Sequence, residues 1–287
     1  MGFTLGLAQC RHAADGDAVP LVRGYARQAK DAGVDLLVFP ESLMSRYELE
    51  RGEFLAQSQP VGGPFSQAVE SIAAEESIWI VYTMNERAEC DALACSTSGN
   101  TEDETCDVSD GAHDRHPYNT VVLVDASGVR HAVYRKVHLF DTDFTQESSR
   151  MSAGDALLDP VSTPFCRLGL AICYDLRFPE VARAAALQGC DLMIYPSAWV
   201  AGEGKVRQWK TLLAARAIEN QMFVAGVSRC DEGYIGQSVV FDPYGNALAE
   251  AGEGEKLLVC QLDTANLVPA RQNMPVLEHR RPELYNL

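Results

Sequence analysis

No apolar run in the 287-residue chain approaches the ~20 residues that a transmembrane helix needs. The N-terminus also lacks the basic n-region and small-residue cleavage site of a secretory signal. Met1 to Gln9 reads straight into a strand, so a cytoplasmic protein is expected. Basic residues are scarce: 24 Lys and Arg face 40 Asp and Glu, a formal net charge of −16. A field of that sign repels phosphate backbones and anionic membranes, which argues against nucleic acid and membrane partners. A disulfide framework is missing as well. The nine cysteines (10, 90, 95, 106, 166, 173, 190, 230 and 260) are odd in number, scattered and mostly set in apolar runs, as reduced buried thiols would be. With 47% hydrophobic and 22% charged residues, what remains is a globular chain able to bury a sizeable core.

Short apolar runs alternate with helical patterns along the whole length. Thr4–Gln9, Asp35–Phe39, Ile78–Thr83, Asn119–Val124, Arg167–Cys173, Asp191–Tyr195, Phe223–Val227, Ser238–Phe241 and Leu257–Leu262 read as strands. They are almost unbroken by polar residues, which predicts burial on both faces. Helices are predicted over about residues 17–32, 64–76, 178–189 and 205–220. The chain also repeats itself: residues 5–10 (LGLAQC) return as 168–173 (LGLAIC), and 26–42 (ARQAKDAGVDLLVFPES) as 182–198 (ARAAALQGCDLMIYPSA). Asn119–Asp125 is echoed in the same order by Gln237–Asp242. Two β-α-β halves, each closed by a hairpin, account for this. The expected product is two sheets face to face with helices outside both, a four-layer α/β sandwich with a pseudo-two-fold duplication. Residues 1–287 are expected to form a single domain, interrupted by an acidic insertion at about 88–118. That stretch holds eight acidic residues and one Arg, together with Cys90, Cys95, Cys106, His113 and His116 in no standard zinc spacing.

In such halves ligands gather at the C-terminal ends of strands. One Glu, one Lys and one Cys stand there. Glu41 follows Leu36-Leu37-Val38-Phe39-Pro40, where partial desolvation is expected to raise its pKa and make it a better base; alone it also reads as an acid at a helix start. Lys136 closes Ala132–Lys136, where a lysine entering a core needs a partner, although an edge strand would carry one at its surface. Cys173 ends a strand and turns into a helix, an elbow whose free N–H groups can lower a thiol pKa and hold an oxyanion. Most buried cysteines, however, are inert.

Read jointly, the segments Phe39-Pro40-Glu41-Ser42, Tyr134–Leu139, Cys173–Glu180, Tyr195–Trp199 and Ala215–Gln221 resemble the nitrilase, or carbon–nitrogen hydrolase, superfamily along nearly the whole chain. The Cys173-Tyr174-Asp175-Leu176-Arg177-Phe178-Pro179-Glu180 turn resembles its ω-amidase-like branch. The resemblance implies an αββα sandwich, a homodimer joined by helices near the site, and a hydrolase that needs no metal or organic cofactor. It implies Cys173 as nucleophile, Glu41 as general base, and Lys136 with the Tyr174 N–H as oxyanion partners. Glu147 matches a second glutamate of the family, and Tyr47 a substrate-contacting tyrosine. The implied reaction is hydrolysis of a small amide, an ω-monoamide of a dicarboxylic acid, through a cysteine thioester with release of ammonia. Nitriles and N-carbamoyl amines are the alternative substrates, and a binding subunit without activity is the non-enzymatic one. Arg177 could grip a substrate carboxylate or pair with Asp175 or Glu180. Trp199 and Trp209 could line the pocket or pack the second half, and His138 reads as a hydrogen-bonded structural residue.

Overall fold

The computed structural model describes residues 2–14, 16–46, 51–87, 116–143 and 145–285. Among these residues the chain forms β1 (Gly2–Gln9), α1 (Ala18–Asp31), β2 (Leu36–Val38), α2 (Arg51–Gln57), α3 (Pro64–Glu76), β3 (Trp79–Glu86), β4 (Tyr118–Val124) and β5 (Arg130–Arg135). It continues with β6 (Val161–Ser162), β7 (Arg167–Leu170), α4 (Pro179–Leu187), β8 (Leu192–Ser197), α5 (Lys205–Asn220), β9 (Phe223–Ser228), β10 (Val239–Phe241), β11 (Ala247–Glu250), β12 (Lys256–Asp263) and α6 (Leu267–Asn273). Tyr47, Cys90, Cys95, Cys106 and His113 lie outside the described residues.

Two six-stranded sheets carry the fold, in the orders β12-β1-β2-β3-β4-β5 and β11-β10-β9-β8-β7-β6. In each, three parallel strands are followed by an antiparallel hairpin, so the internal repeat is a structural duplication. The sixth strand of each sheet is exchanged. β6 follows the first half yet pairs antiparallel with β7, and β12 follows the second half yet pairs antiparallel with β1.

Period-two side-chain alternation between two cores explains why the central strands are apolar throughout. β12, expected to be buried on both faces, instead alternates between buried and exposed residues because only one face is covered. On β2, Leu36 and Val38 enter the core between the sheets, while Leu37 packs with the core that includes α1 and α3. On β4, Val121 and Leu123 face the first core, and Val122 and Val124 the second. The helices begin and end for local reasons. Asp17 caps α1 by accepting from the Val19 N–H (3.0 Å), and Pro64 and Pro179 open α3 and α4, where a missing N–H costs nothing. Among the described residues no helix is long and apolar enough to cross a membrane.

Glycines mark where packing leaves no room. A Cβ on Gly226 of β9 would lie 2.4 Å from Trp209 Cζ2 and 2.6 Å from Leu213 Cδ1, both on α5. Gly226→Ala is therefore expected to destabilise the protein by about 2 kcal/mol. Gly24, mid-helix in α1 with nothing within 4 Å of its added Cβ, should gain about 0.5–1 kcal/mol as Gly24→Ala. Urea unfolding midpoints moving in opposite directions would verify both assignments.

Candidate active site

The site forms where both halves present strand ends to one cavity. Glu41 comes three residues after β2, and Lys136 immediately follows β5. Cys173 opens a 3-10 turn (Cys173–Arg177) three residues after β7, so the strand ends earlier than the apolar run implied. The reach of Lys136 follows from pleat geometry: Ala132 and Tyr134 point into the inter-sheet core, and two residues later Lys136 does the same. Its cross-strand neighbour is Asn119, whose carbonyl accepts from the Lys136 N–H at 2.9 Å. Asn119 shares the inward parity of Val121 and Leu123, a signal that could have marked it as a site residue.

Lys136 is 2% exposed and sits between two carboxylates, Glu41 and Glu147, each 4% exposed. Its Nζ donates to Glu41 Oε1 at 3.0 Å and to Glu147 Oε1 and Oε2 at 3.0 and 2.8 Å. Asn119 Nδ2 donates to both acids, 2.8 Å to Glu41 Oε1 and 3.2 Å to Glu147 Oε1. The Ala198 N–H donates to Glu41 Oε2 at 2.7 Å, and the Phe140 N–H to Glu147 Oε2 at 2.7 Å. The Cys173 thiol donates to Glu41. Glu147 is thus brought to the same point as Glu41, Lys136 and Cys173.

These contacts set the charges. Burial alone would raise the Glu41 carboxyl, but the Lys136 ammonium, the Cys173 thiol and the Ala198 N–H hold it below the ordinary carboxylate range. Burial works against the charge on Lys136, yet Glu147 and Glu41 keep its ammonium well above the usual lysine range. Burial pushes the Cys173 thiol far up, and the Glu41 charge adds to it. Two expectations are corrected here. Glu41 is not a raised-pKa base, because desolvation is outweighed by Lys136, the Cys173 thiol and the Ala198 N–H acting together. The elbow does not lower the thiol, because its burial raises it and the Glu41 carboxylate beside it adds to that. The resting site is a neutral thiol hydrogen-bonded to an anionic carboxylate.

The elbow itself is strained and pinned. Cys173 has φ +44°, a left-handed conformation that costs a non-glycine residue about 1–2 kcal/mol. Asp175, fully buried, holds it: Oδ2 accepts from Tyr134 Oη (2.8 Å) and the Ile172 N–H (2.9 Å), while Oδ1 meets the N–H and Nδ1 of His138 (3.1 and 2.8 Å). Arg216, also buried, donates twice to the Leu176 carbonyl (3.1 and 2.8 Å). The Tyr174 N–H, second in the 3-10 turn, has no acceptor within that turn. Neither Asp175 nor Arg216 was singled out for this role, because each meets a partner distant in sequence. His138, stacked on Phe178 at 3.7 Å, is structural as expected.

The cavity has a volume of about 340 Å³ and is lined by Glu41, Lys136, Cys173, Tyr174, Arg177 and Trp199, among others. Arg177 pairs with neither Asp175 nor Glu180. Its Nη2 donates to Gln208 Oε1 (2.9 Å) and its Cζ lies 4.8 Å from the centre of a Trp199 ring. Trp209 is instead buried behind Trp199 and packs the second half. Among the described residues no group of three or more His, Cys, Asp or Glu is placed to hold a metal.

A family model described as carbon-nitrogen hydrolase matches residues 4–272. The chain belongs to that family. This carbon–nitrogen hydrolase is 33% identical over 270 residues to the human protein named deaminated glutathione amidase, covering 90% of this chain and 76% of the relative. It is 32% identical over 294 residues to human omega-amidase NIT2, covering 99% and 96%. It therefore belongs to the ω-amidase-like branch of the nitrilase superfamily. A solved mutant of the amidase from Nesterenkonia sp. AN1, 25% identical, superposes with a TM-score of 0.72 over 99% of this chain and 95% of its own. That structure carries the acetamide moiety of fluoroacetamide covalently on its active-site cysteine. The αββα architecture is common to these enzymes.

Linked charges predict a pH signature. Glu41, depressed in the fold, adds stability above the unfolded carboxylate range that is lost as pH falls through its folded value. Lys136, raised in the fold, adds stability below the ordinary lysine range that is lost only as pH rises through its folded value. Both contributions are present between about pH 5 and about pH 8, so this pair gives the parent a plateau there. Lys136→Met strips Glu41 of its cation and lets burial raise it. That variant should lose roughly 3–5 kcal/mol at neutral pH and become less stable as pH rises across the same interval. Urea titrations at several pH values test this; a plateau retained by the variant rejects the charge assignment.

Proposed function

We propose that the chain hydrolyses the C–N bond of a small amide, an ω-monoamide of a dicarboxylic acid, through a thioester on Cys173. The observation that carries this reading is the convergence of the Cys173 thiol, the anionic Glu41 and the buried Lys136 ammonium in one cavity. Glu41 takes the Sγ proton as sulfur attacks the amide carbon, so thiolate character develops only during attack. The Tyr174 N–H and Lys136 Nζ stabilise the oxyanion. Collapse breaks the C–N bond, and ammonia leaves with the proton held by Glu41. Water then loses a proton to Glu41 and attacks the thioester; the acid departs and the thiol is restored. Glu147 acts as a positioning residue, holding Lys136 with both oxygens. No metal or organic cofactor enters these steps.

Arg177 supports a substrate carboxylate at the far end of the amide, since it lines the cavity and donates to a neutral amide rather than to an acid. Trp199 forms the apolar wall beside it, and Tyr47 is assigned to the same substrate. We place the enzyme in the cytoplasm as one catalytic domain. It works as a homodimer through helices near the site, for which Leu187 on α4 and Ile218 on α5, 51% and 52% exposed, offer apolar contact.

Cys173→Ala is expected to cut ammonia release from succinamate by roughly three orders of magnitude or more while leaving the melting temperature near the parent's. Glu41→Gln should do the same and abolish the thioester seen by mass spectrometry after mixing. Activity surviving Cys173→Ala removes the mechanism. Arg177→Gln should raise KM for succinamate about tenfold and leave KM for a neutral amide much less affected; equal changes make Arg177 structural.

A further inference from the structure

Helix α5 begins in a way that local stability does not favour. Its N-cap is Gly204 at φ +70° with no side-chain cap, and its first turn, Lys205-Val206-Arg207-Gln208, contains no acid and two bases. A helix N-terminus carries partial positive charge, so a lysine in first place adds like charge to it. Where a rule of local stability is broken without compensation, function is a natural place to look.

The position of Lys205 supplies the reason. Lys205 lines the same cavity as Cys173 and Arg177. Its carbonyl accepts from Trp199 Nε1 at 3.2 Å, while the Arg177 guanidinium lies over a ring of the same indole. Gln208, which holds Arg177, is three residues along α5 from Lys205 and therefore shares its helix face. Trp199 and Gln208 thus tie the Arg177 guanidinium and the Lys205 backbone to one wall, from which the Lys205 side chain starts. Among the described residues neither cation is paired with a carboxylate, although the chain has an excess of 16 acidic charges. Elsewhere on the same helix Lys210 meets Glu250 at 2.8 Å, and Arg216 meets Glu219 at 3.0 Å. The lining also includes Glu232, which is exposed to solvent and screened by it.

We infer that Lys205 is a specificity-determining residue that joins Arg177 in gripping a single substrate carboxylate. This rests on the amide-hydrolysis reading above. The guanidinium supplies a planar fork, and the ammonium supplies a point charge reinforced by the helix end. An amide with a terminal carboxylate is held by two cations at that end, with its carbonyl at Cys173. A neutral amide of equal length gains nothing from either.

The test is a double-mutant cycle on kcat/KM for succinamate and for butyramide, its uncharged counterpart. Lys205→Met and Arg177→Gln should each lower kcat/KM for succinamate about tenfold more than for butyramide. Because both hold the same carboxylate, the double variant should lose clearly less than the product of the single losses. Lys205→Glu should lose as much or more on succinamate while its melting temperature holds or rises, since an acid suits the first turn. Lys210→Met, which removes the same charge from the same helix outside the cavity, should leave the preference intact. Equal losses on both amides for Lys205→Met overturn the proposal, and so do fully multiplicative losses, which would mean two separate anion sites. Succinate binding to Cys173→Ala by calorimetry separates this question from catalysis. It should weaken about tenfold on adding Lys205→Met even if no amide is turned over, and unchanged binding rejects the role of Lys205.

Discussion

The buried ammonium of Lys136 between Glu41 and Glu147 is the constraint on which the rest of the site depends. Three ionised groups out of water carry a desolvation cost of several kcal/mol per ion, and their attraction offsets it only if the remaining lone pairs are satisfied. The fold meets that condition with donors from three separate places: the Asn119 amide on β4, the Ala198 N–H after β8 and the Phe140 N–H. Each donor is set by a different part of the framework, so the cluster reports on the mutual placement of both sheets. The thiol is the fourth party to it. The thiol keeps its proton and shares it in a hydrogen bond with the Glu41 carboxylate, so no free thiolate is exposed to adventitious oxidants.

Much of this framework was legible in the residues alone. Nine of the twelve strands among the described residues, four of the helices and the internal repeat follow from apolar runs and matching segments, while the polar or very short β5, β6 and β11 do not. Lys136 points inward by the same parity as Tyr134. What was not legible has a common physical origin, because it depends on groups far apart in sequence. Burial alone would raise Glu41, and the direction of its shift is reversed by Lys136, 95 residues away, together with Cys173 and Ala198. Arg177 finds Gln208 rather than its sequence neighbours Asp175 and Glu180. Helix α2, seven residues long, is too short for a clear period.

Duplication and divergence also become visible together. The repeat aligns Cys173 with Cys10 and Glu41 with Ser197. Cys10 is wholly buried and its thiol is pushed up to about 12 by that burial, so the position that matches Cys173 in the first half is core packing. The acid comes from one half and the sulfur from the other. The first half supplies Lys136 as well as Glu41, while the second half supplies Cys173, and the counterpart of Glu41, Ser197, has only a hydrogen-bonding duty to the Tyr195 carbonyl.

The exchanged outer strands bear on how the chain is made. β1 pairs with β12 along its full length, Gly2 opposite Asp263 and Gln9 opposite Lys256. A ribosome releases the first of these segments long before the second, by on the order of ten seconds or more at ordinary elongation rates. During that interval β1 keeps one row of backbone donors and acceptors uncovered, an edge open to pairing with other chains. Once β12 docks, a strand from the end of the second half is hydrogen-bonded into the sheet of the first.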